Sequence, residues 1–248
     1  RQASQDFYIS QYLSSENVPA NWTGVHATCN AGTTSTEFKD AVLRRINYFR
    51  AMAGVPDVSL SASANQNAQA AALMMSVNGQ LSHNPPTTWT CYTPEGALGA
   101  SKSNLSLGSY GPSAISGQVR DYGSGNYAAG HRRWILYPPT PQMGTGDIPP
   151  SGGYWSSNAL WVIGNTGPRP VTREPYVAWP PPGYVPYQVI FARWSFSYPN
   201  ANFSAATVTM VSGGTNIPLT QESVVNGYGR SEERRVGKEC KPRVAPSH

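Results

Sequence analysis

Three stretches of the chain repeat apolar side chains at helical spacing. Phe38, Val42, Ile46, Phe49 and Ala53 recur every third or fourth residue until Gly54 interrupts the run. Thr34-x-x-Glu37 ahead of them reads as a capping box, so a first helix is predicted there. From about Ser61, Ala64, Ala68, Ala71, Ala72 and Met75 mark one face of a second helix ending at Asn78-Gly79, with side chains small enough to let a sheet approach closely. A shorter third helix is predicted from Pro112, a favoured helix-start residue, to about Asp121. Strand-like runs come later: Arg133–Tyr137, Ala159–Gly164 and Tyr176–Trp179 are short, aromatic or β-branched, and separated by Pro/Gly loops. Pro180-Pro181-Pro182-Gly183 reads as a stiff linker. Beyond it, Gln188–Ser197 and Ala206–Val211 alternate apolar with polar, as half-buried antiparallel strands do, and fit the start of an immunoglobulin-like sandwich. Residues 1–30 lack sustained periodicity and read as an extended leader. Helices first and strands interleaved afterwards predict an α+β fold, a sheet covered by helices.

The C-terminal end changes this plan. Arg230–Cys240 reads RSEERRVGKEC, the translation of a common sequencing adapter, and residues 241–248 continue it. The segment is therefore set apart as an artefactual tail, expected to stay extended outside the core. The resulting domain plan is a leader (1–30), a main domain (31–180), a partial, truncated β-sandwich (181–229) and the tail (230–248). The tail carries six basic and three acidic side chains, so without it the net charge falls from +5 to +2. No basic stripe remains, which argues against a nucleic-acid partner. Cys240 leaves with it. Of the remaining pair, Cys29 and Cys91, an oxidising compartment would make a disulfide and a reducing one two buried thiols. Only 12% of the chain is charged, while Gly and Pro are abundant (24 and 22 residues), the profile of a loop-rich extracellular module. An apolar run of the ~18 residues a transmembrane helix needs is missing from the sequence.

Two of the four histidines stand in informative contexts. His83 closes Leu81-Ser82-His83 after the Ala-rich helix, and His131 opens Gly130-His131-Arg132-Arg133-Trp134-Ile135-Leu136. Imidazole is the side chain best suited to ligate a transition metal or titrate near neutral pH. In order and separation the two motifs resemble the CAP superfamily, the cysteine-rich secretory, antigen-5 and pathogenesis-related module, over roughly Glu37 to Gly164. Gly-His-Arg is the form found in the bacterial secreted branch, where eukaryotic members commonly have Gly-His-Tyr. The resemblance implies an α-β-α sandwich, secretion or display at the cell surface, and a cavity lined by two histidines and two acidic residues. The histidines carry over onto His83 and His131. The family's Gly-Glu-Asn segment falls on Lys102-Ser103-Asn104-Leu105, which puts Ser103 where the glutamate stands. The pattern Ala-aliphatic-x-x-Trp-x-x-Glu falls on Ala114–Asp121, with Gln118 for Trp and Asp121 for Glu.

Two imidazoles and one carboxylate, His83, His131 and Asp121, can bind zinc with water in the fourth position, with fewer hard ligands than a full set. Both histidines also have plain structural readings, His83 as a cap on the second helix and His131 as a backbone partner in a tight glycine turn. A Ser103–His131–Asp121 triad can be drawn, but Gly-x-Ser-x-Gly and His-Glu-x-x-His are both missing from the sequence. The expected function is a non-catalytic extracellular module with no obligatory cofactor. Its cavity, lined by His83, Ser103, Asp121 and His131, would take a metal or a small-molecule, lipid or cell-wall carbohydrate ligand. The alternatives are a metal-dependent, peptidase-like hydrolase with His83, His131 and Asp121 as catalytic groups, and a structural or adhesive surface protein. The last predicts a cavity filled by side chains.

Overall fold

The computed structural model describes residues 1–164 and 166–223 and, for the segment 233–239, the backbone. Its helices are α1 (Gln2–Phe7), α2 (Thr36–Ala53), α3 (Ala62–Asn78), α4 (Pro94–Lys102), α5 (Gly111–Arg120) and α6 (Gly130–Ile135). Its strands are β1 (Ser59–Leu60), β2 (Ser103–Leu107), β3 (Gln142–Ile148), β4 (Ser157–Trp161), β5 (Val177–Trp179), β6 (Arg193–Pro199), β7 (Val211–Ser212), β8 (Thr215–Asn216), β9 (Thr220–Gln221) and β10 (Glu233–Glu239). Ser35 and Ser61 cap α2 and α3 by accepting the amides of Phe38 and Ala64, which satisfies donors that have no partner inside the helix. The cap of α2 is thus Ser35 rather than Thr34. Both helices end on a left-handed glycine, Gly54 (φ 77°) and Gly79 (φ 60°).

The main sheet has strand order β1-β3-β4-β2, with β1 parallel to β3 and the other pairs antiparallel. Successive side chains of a strand point to opposite faces, and here each face has its own core. Leu160 and Met143 join Phe38, Val42, Ile46 and Phe49 of α2 and Ile115 and Val119 of α5. Ala159 and Ile148 join Ala68, Ala72 and Met75 of α3 and Ala100 of α4. The sheet therefore lies between two helical layers, in an α+β arrangement. The small side chains of α3 let it sit directly on the strand backbone. A Cβ added at Gly146 would fall 2.1 Å from the backbone carbon of Ala68, and one at Gly99 of α4 would fall 2.1 Å from the Asn67 carbonyl oxygen.

Several elements differ from the sequence-based expectation. Residues 2–15, expected to be extended, coil continuously through α1 and the tighter or wider turns that follow it. Tertiary packing drives this: Phe7 stacks on Tyr48, and Tyr12 lies edge-on to Tyr48 and Phe49. Arg133–Tyr137, expected as a strand, falls in α6 and the turn after it. There Asp121 Oδ2 accepts the Arg132 amide and the Arg132 guanidinium reaches back to the Val119 and Arg120 carbonyls, so the chain is drawn into a short helix against the end of α5. Ala206–Met210 is not a strand. A second sheet, ordered β5-β6-β10-β9, already begins at Val177, ahead of the proline run, and β7 and β8 form a separate two-stranded sheet; the described residues do not establish the expected immunoglobulin-like sandwich. Residues 224–232 and 240–248 lie outside the described residues. The tail, expected to stay extended outside the core, instead enters the second sheet: the backbone of β10 runs antiparallel between β6 and β9, residue 236 opposite Phe196.

Candidate ligand-binding cavity

The end of α4, the start of β2, the end of β4 and the first turn of α6 meet at one point of the fold. The Lys102 carbonyl accepts the amides of Val162 and Ile163 at 2.9 and 3.0 Å, pinning the exit of β4 beside the α4–β2 junction. His83, exposed in the turn after α3, lies over the same junction with its Nδ1 3.0 Å from the Ala100 carbonyl oxygen. A carbonyl only accepts, so Nδ1 of His83 carries the hydrogen and Nε2 is the nitrogen left over. Across from it, His131 Nδ1 lies 2.8 Å from Asp121 Oδ1. Nδ1 donates to the carboxylate, and Nε2 again remains.

These elements enclose a cavity of about 400 Å³. His83, Ser101, Ser103, Asn104, Asn126 and His131 supply its polar lining, and Trp134, Val162, Ile163 and Ala128 its apolar lining, with Gly125 and Gly130 completing the wall. Among the described residues no Lys, Arg, Asp or Glu lines it. Ser103 is 4% exposed and its Oγ has no hydrogen-bond partner among the described residues. A buried hydroxyl without a partner is costly, by about 1–3 kcal/mol.

Behind the lining runs a row of buried side-chain amides. Asn104 Nδ2 donates to the His131 carbonyl (3.0 Å) and to Gln118 Oε1 (3.3 Å). Gln118 Nε2 donates to Asn158 Oδ1 at 2.8 Å, and Asn158 Nδ2 to Asp147 Oδ1 at 2.8 Å. Asp147 is fully buried and also accepts the Gly111 amide and the Thr145 hydroxyl. Burial pushes its carboxyl pKa up, and those three donors work in the opposite direction.

The wall formed by residues 122–129 is held by a side chain of β6. Arg193 of β6 donates to the carbonyls of Asp121, Gly123 and Asn126 and is itself gripped by both carboxylate oxygens of Glu222 at 3.2 and 3.0 Å. Arg132 adds a bond to Ser195 Oγ, and burial pushes its guanidinium pKa down to about 10.

The sequence-predicted site residues are thus placed as follows. His83, Ser103 and His131 line one cavity. Asp121 is buried, fixes His131 through Nδ1 and caps α6, but is not among the lining residues. Two imidazole nitrogens supply half of a tetrahedral zinc shell. No cluster of three or more His, Cys, Asp or Glu able to hold a metal occurs among the described residues, so the donor set does not fit a resident zinc. Cys29 and Cys91 form a disulfide with their Cα atoms 5.1 Å apart, joining residues 22–31 to the turn after α3. No described helix is long and apolar enough to cross a membrane. Trp134, Gln118 and Arg193 were not foreseen as site residues. For Gln118 the signal was a polar amide on the otherwise apolar Ala114–Ile115–Val119 face of α5; Arg193 gave none, since its partners lie some seventy residues away.

Residues 43–162 match the model of the family described as CAP: Cysteine-rich secretory protein family. No curated protein matches the chain.

Proposed function

We propose that the protein, residues 43–162 of which match the CAP family model, is a secreted, non-catalytic module that holds a small ligand between His83 and His131. One observation carries the reading. Two imidazoles forty-eight residues apart in sequence line one cavity, each fixed through Nδ1 and each with Nε2 unspent, next to a buried serine hydroxyl in want of a partner. Asp121 acts through His131, as an orienting carboxylate, and this arrangement favours binding over metal-assisted hydrolysis. The Cys29–Cys91 disulfide and the low charge content support an oxidising, extracellular setting.

Zinc chloride serves as a probe of whether the two rings form one site, followed through the histidine ring resonances by NMR. Zinc is expected to shift His83 and His131 together with one weak midpoint. His83→Ala is expected to abolish the response at His131, and Ser103→Glu, which restores a carboxylate to the lining, to tighten binding. An unchanged His131 response in His83→Ala would mean that the rings do not share a site.

A further inference from the structure

We infer that the cavity takes a neutral, polyhydroxylated ligand, a small saccharide. This rests on the reading of the cavity as a binding site and narrows what it binds. An anion would find no Lys or Arg among the described lining residues, and an organic cation no Asp or Glu. A lipid chain would cover His83, His131 and Ser103 with hydrocarbon, leaving their polar atoms without partners at a cost of about 1–3 kcal/mol each. The lining instead asks for donors. With both Nδ1 atoms already donating, Nε2 is the ring atom each imidazole has left for a ligand hydroxyl, and the Ser103 hydroxyl can accept or donate. A sugar ring presents several O–H groups within a few ångströms, whereas a neutral peptide of the same size offers one N–H per residue.

The other half of the lining fits the other half of a sugar. Trp134, half-buried and held edge-on by Tyr137 at 6.1 Å, stands with Val162 and Ile163 on the cavity wall. A flat indole beside aliphatic groups can cover the C–H face of a ring while the hydroxyl rim reaches the imidazoles and Ser103. The volume of about 400 Å³ sits toward the lower end of the range for small-ligand pockets, ~300–1,000 Å³, so a short oligosaccharide or the end of a longer one is the matching size.

The full chain is titrated calorimetrically and by NMR with cellotriose, maltotriose and tri-N-acetylglucosamine, alongside trigalacturonate, oleate, tri-alanine and zinc chloride. At least one neutral trisaccharide is expected to bind and to shift the His83, His131 and Trp134 ring signals. Binding should weaken about tenfold in Trp134→Ala and in His83→Ala, the loss of one well-placed contact. His83 is exposed, so that variant keeps the fold intact if Trp134→Ala does not. Oleate, tri-alanine, trigalacturonate or zinc shifting those signals while every neutral trisaccharide leaves them unmoved overturns the saccharide and leaves the binding cavity standing. If no probe moves them, both readings fail.

Discussion

The α3–β3 seam and the wall at residues 122–129 flank the same sheet and are held in opposite ways. At the seam, backbone lies on backbone: the Ala64 and Ala68 positions of α3 meet Gly144 and Gly146 of β3 so closely that a Cβ at either glycine would lie 2.5 Å or less from α3 atoms. In the wall, no described atom lies within 4 Å of a Cβ added at Gly123 or Gly125, and one guanidinium, Arg193, ties two of its carbonyls, Gly123 and Asn126, together with that of Asp121 just before it. Close packing makes the seam intolerant of any added atom. A side-chain strap leaves room for new atoms at Gly125, though not at Gly123 with its φ of 98°, and makes the wall intolerant of losing the strap. The wall lines the cavity while no residue of α3 or β3 does, so the two regions should respond to different mutations.

The covalent tie on the α3 side should give the largest effect. Replacing Cys29 and Cys91 by serine opens a loop of 62 residues, a loss of about 4 kcal/mol by loop-closure reasoning. Chemical denaturation should read this loss, while amide exchange of residues 122–129 stays unchanged. Gly146→Val comes next, with a loss of about 3 kcal/mol and a thermal midpoint about 10 °C lower. Gly125→Ala as its counterpart should move the midpoint by about 1 °C or less, in line with surface substitutions away from such features. Arg193→Ala removes the side-chain donor shared by the Asp121, Gly123 and Asn126 carbonyls and the cation facing Glu222. A global loss of about 2 kcal/mol should accompany amide exchange at least about tenfold faster in residues 122–129 and unchanged exchange in α3. Equal protection loss in both regions would erase the distinction between them.

The smallest effect is a pH dependence confined to the α3 side. His26 is buried and stacked on Tyr154, with Nε2 3.0 Å from Ser76 Oγ of α3. Ser76 gives its hydrogen to the Trp155 carbonyl, so Nε2 of His26 donates. Burial holds the His26 pKa below its ordinary 6.5. The unfolded chain then binds the proton more readily, so the contribution of His26 is complete above pH 6.5 and lost as pH falls through the lower folded value. The midpoint should fall with acidification below pH 6.5 in the wild type and fall less steeply in His26→Gln.

What the sequence disclosed follows the range of the forces involved. α2, α3 and α5 are written locally, in periodicity, serine caps and terminal glycines. β3 is not, because Gly144-Thr145-Gly146 has no strand signature until the alanines of α3 cover it. α4 was missed for the same reason, its Gly99 making sense only against Asn67. His83 and His131 were legible through their short motifs. The role of Asp121 was legible only in part, since its residue type suggested a ligand while its place behind His131 depends on α6 being a helix. Trp134 and Arg193 owe their roles to contacts that no local pattern encodes.

The row of amides from Asn104 to Asn158 reads in one direction only. Each passes a hydrogen toward Asp147, and acceptor-only carbonyls, His131 O at one end and Gly146 O at the other, fix the reading. Turning over any single amide would set hydrogen against hydrogen on one side and oxygen against oxygen on the other, so the row turns as a whole or not at all. The Asn104 amide on the cavity wall therefore holds an orientation decided at the centre of the sheet.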